Sequence, residues 1–274
     1  MSTATLSLPA LPASPRPVAA RTPATVFLPK EHGSWSLALE PVALGLLIAP
    51  SWAGGAIAGA ALAAFFARRP LKASFVASDP LRQRDARETV VMWGALVLAG
   101  GFEAGVLGGW SALWPLAPAA ALGLGFAHWD GQGEGRSTAA ELSGSAAFAL
   151  VPAAIATLAG ASPTTALTLA ALMLARSIPA VTTVRNYLRA AKGGAASPFP
   201  SLLASGLAAG ALLGLGAAGL APPVAAVLGV LLFARTLWLA GRWRPSWPAR
   251  RLGQIEAVIG LVYVTAIAVA WPSS

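Results

Sequence analysis

Residues 30–72 read KEHGSWSLALEPVALGLLIAPSWAGGAIAGAALAAFFARRPLK. From Gly33 to Ala67 only Glu40 is ionisable, and the run then stops at Arg68-Arg69-Pro70-Leu71-Lys72. A helix that crosses a bilayer needs about 20 mostly apolar residues, and this run is far longer. Pro50-Ser51 followed by Gly54-Gly55 is a turn signal, so the stretch divides into two short spans, Gly33–Ala49 and Trp52–Ala67.

The same pattern repeats along the chain. Seven further apolar runs follow at Thr89–Gly108, Ala112–Ala127, Thr138–Leu158, Thr164–Ala180, Ser201–Gly219, Pro222–Ala240 and Leu252–Trp271. The predicted fold is therefore all-α, a polytopic bundle of nine transmembrane helices. Residues 31–274 form a single membrane domain. Residues 1–30, rich in Pro, Ala, Ser and Thr and free of acids, read as a disordered cytoplasmic tail with no signal-peptide core.

Charge placement supports this count. With nine spans, the loops after spans 2, 4, 6 and 8 carry all the Lys and Arg found between spans, and the turns after spans 1, 3, 5 and 7 carry none. By the positive-inside rule the N-terminus is then cytoplasmic. Merging the first two spans would place Lys30 and its neighbours outside. Trp52, Trp110, Trp114 and Trp271 fall at one predicted boundary, and Trp35, Trp93, Trp129, Trp243 and Trp247 at the other, as interfacial indoles do.

Composition agrees. The chain is 56% apolar and 11% charged, with a mean hydropathy of +0.68, against about 25% charged for a soluble domain. Its net charge of +9 punctuates apolar runs instead of covering a soluble face, which argues against nucleic acid as a partner. The partners that this surface suits are the bilayer and its anionic lipids. The absence of cysteine excludes thiolate, disulfide and iron–sulfur chemistry. No metal site is predicted. Glycines at four-residue spacing, Gly206, Gly210 and Gly214, and likewise Gly101, Gly105 and Gly109, read as helix packing inside the bundle.

Ionisable groups inside spans are costly and mark function. Glu40 is the first, two turns into span 1 and just before Pro41. It can pair with an arginine at a neighbouring helix end, Arg176 or Arg235, or face a ligand, or do both. Glu141 enters the membrane early in span 5 and is a candidate pocket wall. Glu103, in the outer third of span 3, reads as reaching the interface. Two arginine clusters stand beside prolines: Arg68, Arg69 and Lys72 after span 2, and Arg176, Arg185, Asn186 and Arg189 around the end of span 6. Guanidinium groups chelate phosphate and carboxylate bidentately, so these residues are candidates for holding an anionic head. His32 is a further candidate pocket residue. The short loop at His128-Trp129-Asp130 and Glu134 could do acid–base work, but with Gly131, Gly133 and Gly135 it reads as a solvated turn.

Two resemblances follow. Pro29-Lys30-Glu31-His32-Gly33-Ser34-Trp35, then Phe65-Phe66-Ala67-Arg68-Arg69-Pro70-Leu71-Lys72, then Ala175-Arg176-Ser177-Ile178-Pro179 resemble the YwiC-like family of bacterial integral membrane proteins. That resemblance implies a multi-pass protein of the bacterial cytoplasmic (inner) membrane. Nine helices with long cytoplasmic connections after helices 2 and 6 resemble the UbiA superfamily of prenyltransferases. There, Asp-rich motifs in those two connections hold Mg²⁺ on a prenyl diphosphate, and the allylic cation alkylates an acceptor. Asp79 and Asp85 lie six apart here, and the connection after span 6 has no Asp.

Three functions are compatible with these features. The first is a UbiA-like transferase or binder of an isoprenoid or other anionic amphiphile at the cytoplasmic side, with Mg²⁺ entering only in that case. The second is a transporter of a small anion with Glu40 as a protonatable gate, although no internal repeat is visible. The third is a non-catalytic assembly factor, in which one of the two histidines, for instance His32, would contact a haem.

Overall fold

The computed structural model describes residues 32–241 and 244–272, with side chains from Trp35 onward. The N-terminal tail lies outside the described residues. Helices account for nearly all of those described, and no strand occurs among them. We number them α1 (His32–Ile48), α2 (Trp52–Val76), α3 (Pro80–Gly108), α4 (Leu116–Gly131), α5 (Thr138–Leu158), α6 (Pro163–Ala191), α7 (Phe199–Ala217), α8 (Val224–Ala240) and α9 (Ala249–Ala270). A 3-10 turn, Trp110–Leu113, precedes α4. α5 pauses at Leu150, whose backbone stays right-handed helical before Pro152.

Local chemistry starts several of these helices. Ser51, Asp79, Ser137 and Ser162 each accept a backbone N–H from the first turn of α2, α3, α5 and α6. Side-chain caps of this kind satisfy donors that a helix start leaves unpaired. Pro80 and Pro163 occupy the first turn, where a missing N–H costs nothing.

Five helices, α3, α5, α6, α7 and α9, are long and apolar enough to cross a membrane, and α8 and the Trp35–Ile48 part of α1 are shorter apolar helices. The outward surface is apolar: Trp52 is 90% exposed, Val269 82% and Leu98 75%. A few charges, by contrast, are buried: Glu40, Arg176 and Glu256 sit in the interior. Water would penalise both features, and lipid favours the first.

The connections differ from the sequence expectation. The basic segments after spans 2 and 6 are helix, not loop. α2 runs on past Ala67 to Val76, α3 begins at Pro80, and α6 runs on past Ala180 to Ala191. Apolarity ends where the membrane should end, but the helices do not: α2 continues through Pro70 to the turn at Ala77–Asp79, and α6 continues through Pro179. Arg68, Arg69, Lys72, Arg185, Asn186 and Arg189 therefore stand on rigid rods at one end of the bundle.

The core has two main apolar clusters. One joins Leu44, Leu172, Met173, Leu212, Tyr263 and Ile267. The other joins Val42, Ala53, Ile57, Ala104, Val151 and Ile155. α1 belongs to both and packs against α9, α5 and α2. It approaches α5 closely because Gly45 has no Cβ; one there would meet Ile155 and the Pro152 backbone at 2.7–3.0 Å. α3 packs mainly on α2 and is otherwise outward-facing. The glycine ladder of α7 corrects the sequence reading: Gly206 meets Phe233 at 3.7 Å, but Gly210 and Gly214 face open space. In the other ladder, Gly105 packs on Trp110 while Gly101 and Gly109 face no neighbour.

Candidate functional site

Four ionisable residues from four helices meet inside the bundle: Glu40 (α1), Arg176 (α6), Arg235 (α8) and Glu256 (α9). Arg176 Nη2 lies 3.4 Å from Glu40 Oε1, and its Nη1 lies 3.5 Å from Glu256 Oε2. Nη2 also donates to the Glu256 main-chain carbonyl at 2.8 Å. Arg235 Nη2 pairs with the other Glu256 oxygen. Two carboxylates thus balance two guanidinium groups.

The helices place this quartet in one layer. Glu40 is eight residues into α1, Glu256 seven into α9, and Arg235 five before the end of α8. At 1.5 Å per residue these positions lie about 7–12 Å inside the same end of the bundle, the end that carries the basic residues. Arg176 sits mid-way along the longer α6. Prolines flank the layer. Pro41 follows Glu40 and Pro179 comes three residues after Arg176, so the carbonyls of Leu37 and Ala175 lose their usual helical donors. Gly260 makes room: a Cβ there would collide with the Glu40 carboxylate. One turn from Arg176, Tyr263 donates to the Leu172 carbonyl at 2.8 Å and fixes α9 to α6.

The network is incompletely satisfied. Arg176 Nε, Arg235 Nε and Ser177 Oγ are buried without a hydrogen-bond partner. Charge-assisted N–H···O bonds are normally about 2.7–2.9 Å long, so the two Arg176–carboxylate contacts are long, while its bond to the Glu256 carbonyl is of normal length. Burying such ions is compensated only by good geometry and full hydrogen bonding; Arg235 and Glu256 are closely paired, but the Arg176–carboxylate contacts fall short of this. Beside it, Thr236 links α8 to its neighbours, with Ser205 Oγ at 2.8 Å and Thr183 Oγ1 at 3.3 Å.

The other predicted residues lie nearer the basic end. Lys72 Nζ meets Asp130 at 2.9 Å. Arg185 Nη1 meets Glu141 at 2.6 Å and donates to the Arg136 carbonyl at 2.7 Å. Arg68 stacks over Phe126, 4.6 Å from the ring centre, with Arg69 next to it on α2. Asn186 is half-buried and Arg189 exposed on the α6 extension. His32 opens α1, and its side chain lies outside the described residues. The structure therefore joins Glu40 to Arg176 and Glu141 to Arg185, but gathers no single basic cluster from α2 and α6. Tyr187 ties this end to the α8–α9 connection, donating to Pro245 O at 2.5 Å and accepting from Trp247 N at 2.7 Å.

Sequence reasoning missed Glu256, Tyr263, Gly260 and the pairing of Asp130. Glu256 carried a usable signal, since it is the only acid in the last span.

These apolar helices, with their basic ends and buried ions, have a counterpart among known families. Residues 28–156 match the YwiC-like protein family. No curated protein and no solved structure matches the chain. The YwiC-like match, with the apolar helices, makes this a multi-pass integral membrane protein. It ends within α5, so Glu40, Lys72, Asp130 and Glu141 lie inside it. Arg176, Arg235 and Glu256 lie beyond it, as does the Ala175–Pro179 segment read as YwiC-like from sequence.

Proposed function

We propose that the protein carries a small anion across the membrane, with Arg176 as the binding cation and Glu40 as a protonatable competitor. The bundle then crosses the bacterial cytoplasmic membrane nine times, with its N-terminus and basic end cytoplasmic. The single supporting observation is the loose, under-satisfied quartet. Buried intramembrane charges typically mark ion pathways and proton relays. Two carboxylates held at 3.4 and 3.5 Å from Arg176 occupy the place an anion would take. A proton on Glu40 removes its claim on Arg176, and the unpartnered Nε and Ser177 groups supply further hydrogen bonds. Pro41 and Pro179 weaken the two helices at the level where they must move.

The test is flux in proteoliposomes under a pH gradient, with a panel of halides, oxyanions and short carboxylates. Wild-type protein should show anion-dependent proton movement, Arg176→Gln none, and Glu40→Gln anion movement without proton coupling. No panel anion crossing faster than in empty liposomes would overturn the proposal.

A UbiA-like transferase acting on an isoprenoid is the second reading. It is favoured by the nine-helix count and by Arg68 and Arg69 side by side at the basic end of α2. It is weakened because Lys72 and Arg185, two of its expected anion-holding residues at the basic end, already have carboxylate partners. Release of diphosphate from prenyl diphosphates by purified protein would restore it to first place.

A further inference from the structure

We propose that the outward flank of α9 is the seat of one anionic phospholipid. Arg251, Gln254, Ile255, Val258 and Ile259 share one open face of this helix. These positions recur at helical spacing and form one stripe about 12 Å long. Its chemistry changes along its length: Arg251 and Gln254 stand in the first turns, at the basic end of the bundle, and only aliphatic side chains follow. That is the polarity of a lipid with its head at the membrane surface and a chain descending into it.

The head end selects for negative charge. The Arg251 guanidinium lies over the Trp247 ring at 5.6 Å. Stacking of this kind engages the face of the guanidinium and leaves its edge N–H donors for an oxyanion. Among the described residues no carboxylate pairs with Arg251 or with adjacent Arg250, in contrast to Lys72, Arg176, Arg185 and Arg235, each of which has one. Tryptophan beside arginine is the composition of the headgroup level, and basic pockets there bind acidic lipid heads. Val258 is exposed and Ile255 and Ile259 are half-buried, so the apolar part is open to an acyl chain from the side. The proposal is independent of anion transport through the quartet.

The experiment is native mass spectrometry of the full chain released from nanodiscs that contain equal phosphatidylglycerol and phosphatidylcholine. Wild-type protein should retain one phosphatidylglycerol in preference to phosphatidylcholine. Arg251→Gln should lower that retention about fivefold, the effect of one arginine at an anionic surface, and Arg251→Lys should keep most of it. Val258→Trp, at an exposed position the fold does not depend on, should cover the aliphatic stripe and lower retention while melting like wild type. Excess glycerophosphoglycerol, the free headgroup, should displace little of the lipid. Equal retention of both lipids, no response to either Arg251→Gln or Val258→Trp, or full displacement by the free headgroup would each overturn the assignment.

Discussion

The Arg176 guanidinium lies 3.4 Å from the Glu40 carboxylate although 136 positions of chain separate them. Both side chains are almost fully buried, at 2% and 7% exposure. Removing Arg176 strands the Glu40 charge, whereas removing Glu40 leaves Arg176 with Glu256. Arg176→Gln should therefore destabilise the protein by about 3–5 kcal/mol, read as a lower melting temperature in detergent. Glu40→Gln combined with Arg176→Gln should be less damaging than the sum of the single changes. Strict additivity in that cycle would show that the pair does not interact.

Gly260→Ala tests the same layer without altering charge. The new methyl group collides with the Glu40 carboxylate and forces it away from Arg176. Overpacking of this kind costs about 1–3 kcal/mol. The variant should melt below wild type, and adding Glu40→Ala should remove most of the penalty.

Tyr187→Phe should loosen the join between α6 and the α8–α9 connection. The lost hydroxyl leaves the Trp247 amide and the Pro245 carbonyl without their side-chain partner. The expected cost is about 1–3 kcal/mol, with faster amide exchange at Trp247. Unchanged exchange there would remove Tyr187 as the tie.

Lys72→Ala should matter much less. Its side chain is 40% exposed, and an ion pair in that setting contributes at most about 1 kcal/mol. A melting shift as large as that of Arg176→Gln would contradict this ordering.

Topology has a direct readout because the natural chain has no cysteine. Ser78→Cys, in the α2–α3 turn, and Ser162→Cys, at the start of α6, are both at exposed positions. A membrane-impermeant maleimide applied to intact cells should label the second and spare the first. Labelling of both from one side would break the nine-span arrangement.

What could be read from sequence depended on the type of information each residue carries. Glu40 was legible because a lone acid inside an apolar run is anomalous by itself, and its candidate partner Arg176 was legible because few cations fall inside a span. Glu256 was harder to see: it stands close to Arg250 and Arg251, where charge looks interfacial. The Lys72–Asp130 contact joins α2 to α4 across 58 positions, and no local pattern encodes a pairing of that kind. Helix extensions past Ala67 and Ala180 were hidden because apolarity reports the membrane and not the end of the helix. The glycines of α7 misled for a related reason, since spacing shows that a close approach is possible without showing that a neighbour is there.

The seating of α1 against α9, with Glu40 beside Gly260 and facing Arg176 and Glu256, sets an order on biosynthesis. At ribosomal speed on the order of ten seconds elapse between the making of Glu40 and of Arg176, and Glu256 is made later still. During that interval Glu40 has been made and its partner Arg176 has not. The nascent chain must therefore keep α1 provisional, shielded by the insertion machinery or resting near the lipid headgroups, until α9 emerges and the bundle can close.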